Sequence, residues 1–256
     1  GKRPGGFCTD SLEIRQSRIF MTFKGTLGDV RTLAHEAGHA FHNHVLRDKR
    51  VFGTLFPMTL AESASTFAEM ILTDGILSSP DFTDAQKALV LDTEVSHAPI
   101  FLMDIPVRYE FEKHLYEERM KGQLSISRLK ELMVQTQRRI FGDILEEGGE
   151  DPLFWASKLH FYITGTTFYN FPYTFGFLLS RGLYAMFQKM GSDFLPRYEE
   201  FLQLTGSDTA VNVARKAIGQ DLEKPDFWAE AIQSLEVPMK QLEEVLPRVL
   251  PSGQSH

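Results

Sequence analysis

Apolar residues recur at three- and four-residue intervals over most of this 256-residue chain, which is the period of an amphipathic helix. Val30, Leu33, Ala34, Ala37, Phe41 and Val45 trace one such stripe. They predict a helix over 29–47 with its apolar face inward and Asp29, after Gly28, as its N-cap. Leu60, Ala64, Phe67, Ala68, Ile71 and Leu72 trace a second stripe over 59–75. Further helices are expected near 83–121, 125–146, 151–160, 173–190, 192–204, 207–218, 225–235 and 237–246. Pro99 and Pro106 should kink or split the first of these. The turn residues of S-S-P-D at 78–81 and E-E-G-G-E-D-P at 146–152 separate neighbouring segments. Ahead of the first helix, residues 1–28 read as loop and strand, with partial period-two alternation over Arg18–Phe23. That strand fits an edge that takes up an extended peptide and a simple hairpin equally well. The whole pattern predicts a mainly α chain with a short strand or small sheet near its N-terminus.

The candidate chemistry lies on the first predicted helix. In T-L-A-H-E-A-G-H-A-F-H, residues 32–42, His35 and His39 are four apart and Glu36 follows the first. Residues i and i+4 share a helix face, so two imidazoles can grip one metal ion while Glu36 projects toward its open side. This H-E-x-x-H spacing is that of two zinc ligands and a general base for attack by water. The five-residue pattern alone fits a solvated helix face as well. The helical stripe changes that, because it draws both histidines toward the apolar side, where an imidazole needs a partner. A catalytic zinc usually has three protein ligands. Glu62 is read as the third, because Ala61, Ser63, Ala64 and Ser65 around it would let the second helix approach the first closely. Glu69, two turns further on, is read as orienting a ligand imidazole through its free N–H. The alternative for both is an ordinary surface glutamate.

H-E-A-G-H-A-F-H followed by L-A-E-S-A-S-T-F-A-E resembles the thimet oligopeptidase and oligoendopeptidase F family of zinc metallopeptidases, nearest to the oligoendopeptidase F branch. Three further stretches resemble it too: G-G-F-C at 5–8, which resembles a loop ahead of the motif helix, R-I-F-M-T-F-K-G-T-L-G-D-V at 18–30, and L-H-F-Y-I-T-G-T-T-F-Y-N-F-P-Y-T-F-G at 159–176. The resemblance implies a zincin-like helical catalytic domain over 1–256 that binds one zinc ion and cleaves internal bonds of short peptides in a deep channel. It implies His35, His39 and Glu62 as ligands and Glu36 as the base. It matches His160 to a histidine of the tyrosine-rich segment and Tyr173 to an oxyanion-stabilising tyrosine. Tyr169 is a second candidate for that role, and Tyr169 and Tyr162 are read as substrate-facing. A phenol O–H or imidazolium N–H has the right chemistry to offset charge on a tetrahedral oxygen, although each tyrosine alone also fits an aromatic core. Family members are about twice this length, and G-K-R-P-G-G-F-C opens without a methionine. Both features lead us to expect the C-terminal part of a longer protein, whose missing N-terminal part forms the other channel wall.

Composition excludes several alternatives. A net charge of −7 argues against a nucleic-acid partner, which would favour basic patches. The single cysteine, Cys8, rules out an intrachain disulfide and suits a reducing compartment. It also counts against structural zinc, which prefers four ligands with cysteine among them. Cys8 lacks an evident base and is read as a packing or loop residue. His42 and His44 are read as neighbours of the site rather than ligands, and His97 and His114 as structural. No run reaches the ~20 apolar residues of a membrane helix: F-G-F-L-L-S-R-G-L-Y-A-M-F is broken by Arg181. No signal peptide opens the chain, so a cytoplasmic location is expected. The runner-up readings are a zinc exopeptidase of carboxypeptidase type on a related scaffold and a non-catalytic zinc-binding helical module.

Overall fold

The computed structural model describes residues 5–250 apart from Leu12; the tail 251–256, expected to fray, lies outside them. The chain divides into two compact units, one made of the residues up to Val95 with those from Gly176 onward, the other of Ser96–Phe175.

The first unit opens with an antiparallel hairpin, β1 (Gly6–Ser11) and β2 (Gln16–Met21), in which Cys8 faces Ile19. The expected strand therefore starts two residues earlier, and the stretch read as a G-G-F-C loop is its partner strand. The turn that joins the two strands holds Arg15 at φ 52°. The first helix, α1 (Leu27–Leu46), is capped by Thr26 and not by Asp29. Thr26 Oγ1 accepts the Asp29 N–H at 3.1 Å, and Asp29 Oδ2 accepts the Thr26 and Lys24 N–H groups at 2.9 and 2.8 Å. This is a reciprocal capping box, and these backbone donors hold the Asp29 carboxyl below the usual range. Loss of an N-cap oxygen costs about 1 kcal/mol, so Thr26→Ala is expected to lower the midpoint of thermal unfolding by about 2–4 °C. An unchanged midpoint would place the cap elsewhere.

The face of α1 that is buried also differs from expectation. Leu33 and Phe41 are 42% and 40% exposed, whereas Glu36, Gly38, His42 and Leu46 are buried. The helix is covered by β1 near Gly6, by α2 (Met58–Ser78) at Gly38, and by α7 (Leu195–Leu204) at His42. These contacts, rather than the apolar stripe, determine which side is withdrawn from water. Next comes α3 (Asp84–Pro99), followed after the second unit by most of α6 (Phe171–Met190). α7, α8 (Ala210–Ala217), α9 (Pro225–Gln233) and α10 (Glu236–Val249) complete the unit. Phe67 on α2 stacks on Tyr198 on α7 at 4.3 Å, in a core that includes Leu179, Leu183, Phe194 and Phe201. Arg181, the charge within the long apolar run, is buried and satisfied by Glu94 at 2.8 Å and by Ser234. Among the described residues no helix is long and apolar enough to cross a membrane.

In the second unit the helix expected over 83–121 is interrupted. Ile100–Asp104 forms a π turn before α4 (Ile105–Arg119). The Ile105 N–H reaches back to the Ile100 carbonyl. Pro106 has no N–H to offer the next carbonyl in that series, and Phe101 O instead accepts the Thr174 hydroxyl. After α4, α5 (Ile126–Phe141) starts at the Ser125 cap and stops at Gly142, φ 57°, short of the expected 146. Val107, Phe111, Leu132 and Met133 form the shared core of α4 and α5, with Trp155 and Phe161 against it. The helix expected over 151–160 is a pair of 3₁₀ turns, Phe154–Ser157 and Leu159–Tyr162. Ala156, Lys158 and Phe161 each bond three residues back. A run that short gains too few bonds to nucleate an α-helix.

Candidate metal centre and tyrosine cluster

Three of the singled-out residues of the first unit converge. His35, His39 and Glu62 each bring one donor atom within 4.8 Å of the other two. Glu62 Oε2 is 3.3 Å from His35 Nε2 and 3.6 Å from His39 Nε2, and the two rings meet edge to face with centroids 4.9 Å apart. The convergence depends on close helix packing. A Cβ on Gly38 would lie 2.4 Å from the Ala64 carbonyl oxygen and 2.6 Å from Ser65 Cα, so α1 touches α2 backbone to backbone. On the other side of Glu62, Gly176 and Ser180 of α6 approach closely. Ser180 Oγ donates to the Glu62 carbonyl at 3.1 Å, and Ser65 Oγ donates to its carboxylate at 2.7 Å.

Glu69 accepts a 2.6 Å hydrogen bond at His35 Nδ1, which leaves Nε2 turned toward Glu62. Its other oxygen accepts from Arg31 Nε. Arg31 lies one turn before His35 on α1 and was not singled out in the sequence, although its i−4 spacing from the first histidine of the motif was the available signal. Burial opposes a charge on His35, but the hydrogen bonds and charges of Glu62 and Glu69 outweigh it and push its pKa up to about 10. Burial likewise opposes the Glu62 charge, yet His35, Ser65 and His39 bring its pKa down to about 2. Burial lowers the pKa of His39. Two imidazoles and a carboxylate thus face one point, with a second carboxylate behind the first imidazole. That donor set demands positive charge and fits a zinc ion of three protein ligands.

Glu36, between the two histidines, is 6% exposed. Among the described residues no hydrogen bond occupies its carboxylate, and a Cβ added to Gly6 of β1 would lie 3.4 Å from its Cγ. His42 is not a ligand. It is fully buried, stacks on Phe56 at 4.2 Å, and bonds Thr205 Oγ1 at 2.9 Å, tying α1 to α7. Burial pushes its pKa down to about 4. His44 pairs with Arg47. Burial, with Glu36 and Asp10 nearby, pushes the Cys8 thiol up, away from the thiolate a nucleophile needs.

The second unit holds the other group. His160 Nε2 lies 3.3 Å from Tyr173 Oη, and the Tyr169 ring stacks on His160 with centroids 5.5 Å apart. Tyr173 meets both rings edge-on. Burial, with Arg108 and Lys158 nearby, lowers the His160 pKa and favours its neutral form. Its buried Nδ1 has no hydrogen-bond partner among the described residues. Tyr162 is not in this cluster: it is 54% exposed, and its hydroxyl lies 3.5 Å from the Ala156 carbonyl, at the limit of a hydrogen bond.

The sequence model of Peptidase family M3 matches residues 1–234. The chain belongs to peptidase family M3. M3 members are metallopeptidases. Among relatives, this M3 chain is 28% identical to the chromosomal oligoendopeptidase F of Lactococcus lactis subsp. cremoris, over 97% of its own length and 40% of the relative's. It is 25% identical to the oligopeptidase PepF of Bacillus subtilis, over 97% and 37%. The crystal structure of oligoendopeptidase-F from Enterococcus faecium superposes with a TM-score of 0.68 at 27% identity, covering 86% of this chain and 40% of that one. A Chlamydophila abortus structure reaches 0.82 at 24% identity, covering 96% and 40%, and speaks for the fold. The M3 chain spans about two fifths of the length of the curated relatives it matches.

Groups that hold a ligand imidazole from behind typically contribute 10–100-fold to metal affinity. Glu69→Ala is therefore expected to weaken zinc binding about 10- to 100-fold in a chelator competition. Unchanged affinity would reduce Glu69 to a partner of Arg31.

Proposed function

We propose that this chain is the catalytic part of a zinc-dependent oligopeptidase that hydrolyses internal bonds of short peptides. The observation that carries the reading is the convergence of His35 Nε2, His39 Nε2 and Glu62 Oε2 at one point, with Glu36 on the same helix as the two imidazoles. The names of the oligoendopeptidase F relatives support the substrate class. His35, His39 and Glu62 would hold the zinc ion, with Glu69 fixing the His35 ring. Zinc supplies a Lewis acid that polarises the scissile carbonyl and makes water acidic enough to be deprotonated near neutral pH.

The remaining chemistry belongs to the protein. Glu36 takes the proton from the attacking water and then passes it to the leaving amine, so that one carboxylate serves both halves of the reaction. We assign His160 and Tyr173 to the oxyanion. A neutral imidazole that donates through Nε2 to the phenol oxygen makes the phenol a stronger donor, and such donors stabilise negative charge only as it develops. Tyr169, stacked on His160, keeps that ring in place.

The test is cleavage of an internally quenched peptide of about ten residues with both termini blocked, which exopeptidases cannot process. Hydrolysis at an internal bond is expected, lost on chelation and restored by stoichiometric zinc. Cleavage that survives complete metal removal would refute the proposal, and so would a zinc-loaded chain that cuts only unblocked termini.

A further inference from the structure

Phe168 stands in the left-handed region, at φ 55°, a conformation that bulky side chains avoid. Such a residue persists only where its surroundings impose it, and here one face of α4 does so. The Phe168 N–H donates to Glu112 Oε1 at 2.8 Å. Its ring lies between Tyr109 and Tyr116, with centroids 5.7 and 5.4 Å away. Residues 109, 112 and 116 are spaced i, i+3 and i+7, so they form a single stripe of that helix. Glu112 is 3% exposed, and its second oxygen has no hydrogen-bond partner among the described residues. A carboxylate buried with so few donors is poor fold stabilisation, since an apolar side chain of similar size would do as well or better. What it offers that an apolar side chain cannot is an acceptor for one backbone N–H.

The residue held this way sits directly before the functional cluster. Tyr169 follows it and stacks on His160. Fully buried Asn170 comes next, and its carbonyl accepts the Tyr173 N–H at 3.1 Å. The φ of Phe168 thus sets the direction in which the chain leaves for Tyr169 and enters α6. We propose that Glu112 is a positioning residue: with Tyr109 and Tyr116 it clamps Phe168 in the left-handed conformation and thereby sets Tyr169 and Tyr173 about His160. Its catalytic meaning rests on the assignment of His160 and Tyr173 given above; the clamp itself does not.

Amide exchange resolved by NMR on the full chain tests the clamp. In the unmodified protein the Phe168 N–H is expected to exchange at least about tenfold more slowly than those of Gly165 and Thr167, after correction for intrinsic rates. Glu112→Ala should abolish that difference while Val107 and Leu132, in the core of the same unit, keep their protection, and chymotrypsin should cut at Phe168 or Tyr169 about tenfold faster. Glu112→Gln, which keeps a weaker acceptor, should fall between. If the alanine variant unfolds, the glutamine variant decides: reduced protection at Phe168 with an intact core supports the clamp, and unchanged protection overturns it. A Phe168 amide that exchanges as fast as Thr167 in the unmodified protein overturns it outright. In the peptide assay Glu112→Ala should lower kcat about tenfold at unchanged KM, and an unchanged kcat would overturn the positioning role. Failure of the peptidase reading itself would appear as no cleavage by the unmodified chain and would leave the exchange result standing.

Discussion

Glu36→Gln is expected to lower peptide cleavage by about 10³- to 10⁴-fold while leaving bound zinc near one ion per chain and the unfolding midpoint within about 2 °C. A well-placed general base contributes about 10²- to 10⁴-fold, and the upper part of that range applies because here a single group is asked to serve as base and then as acid. Glutamine keeps the volume and one acceptor oxygen but cannot hold the proton. Nothing else in the site is disturbed: the proposed metal donors are His35, His39 and Glu62, and no hydrogen bond of the described residues depends on the Glu36 carboxylate. The loss should therefore appear in kcat with little change in KM, the signature of a group that acts only in the transition state. The measurement is steady-state cleavage of the blocked peptide, with metal analysis and thermal unfolding on the same preparation. A variant that retains more than about a tenth of the activity would remove Glu36 from the chemistry. A variant that loses zinc would turn Glu36 into a ligand and leave the base unassigned.

How far the sequence could show this arrangement depends on whether a feature is local. Helical spacing alone puts His35 and His39 on one face of α1, and Glu62 and Glu69 on one face of α2, because each relation lies within a single helix. The mainly α architecture and the proline-split segment after residue 83 were legible for the same reason. The cap of α1 was misread because Thr26 and Asp29 are both good capping residues. Only the geometry shows that Thr26 leads and Asp29 answers from the third helical position. The buried face of α1 was misread because Leu33 and Phe41 outweigh Gly38 and His42 in any hydropathy pattern. What withdraws Gly38 and His42 from water comes from elsewhere in the chain: α2 against Gly38, and Thr205, 163 residues away, against His42. The pairs formed by Arg31 with Glu69 and Glu112 with Phe168 are equally long-range, at 38 and 56 residues. A charged residue on a helix gives no local sign that its partner is a glutamate behind a histidine or a strained amide.

Gly38→Ala carries the second large effect, because two terms of opposite sign meet at one atom. Within a helix, alanine is favoured over glycine by about 1 kcal/mol, so an exposed position would gain from the change. At position 38 the new Cβ would lie 2.4 Å from the Ala64 oxygen and 2.6 Å from Ser65 Cα. Both are backbone atoms, which cannot rotate away, so the two helices themselves must separate. Overpacking of this kind costs about 1–3 kcal/mol even where side chains can adjust; with only backbone to move, the upper end applies and the propensity gain is overrun. The separation acts directly on the site, since α1 carries His35 and His39 and α2 carries Glu62, and ligand distances tolerate only about 0.2 Å. Gly38→Ala is expected to cost about 2 kcal/mol of stability and at least about 100-fold in zinc affinity, and Gly38→Val, which adds bulk at the same atom, should do worse on both. Thermal unfolding and chelator competition on the two variants read these terms separately. An alanine variant as stable as the unmodified chain would mean that α1 and α2 do not meet backbone to backbone at Gly38. Lost stability with zinc affinity intact would mean that the closeness of the helices serves the core alone, and Glu62 would no longer stand as the third ligand.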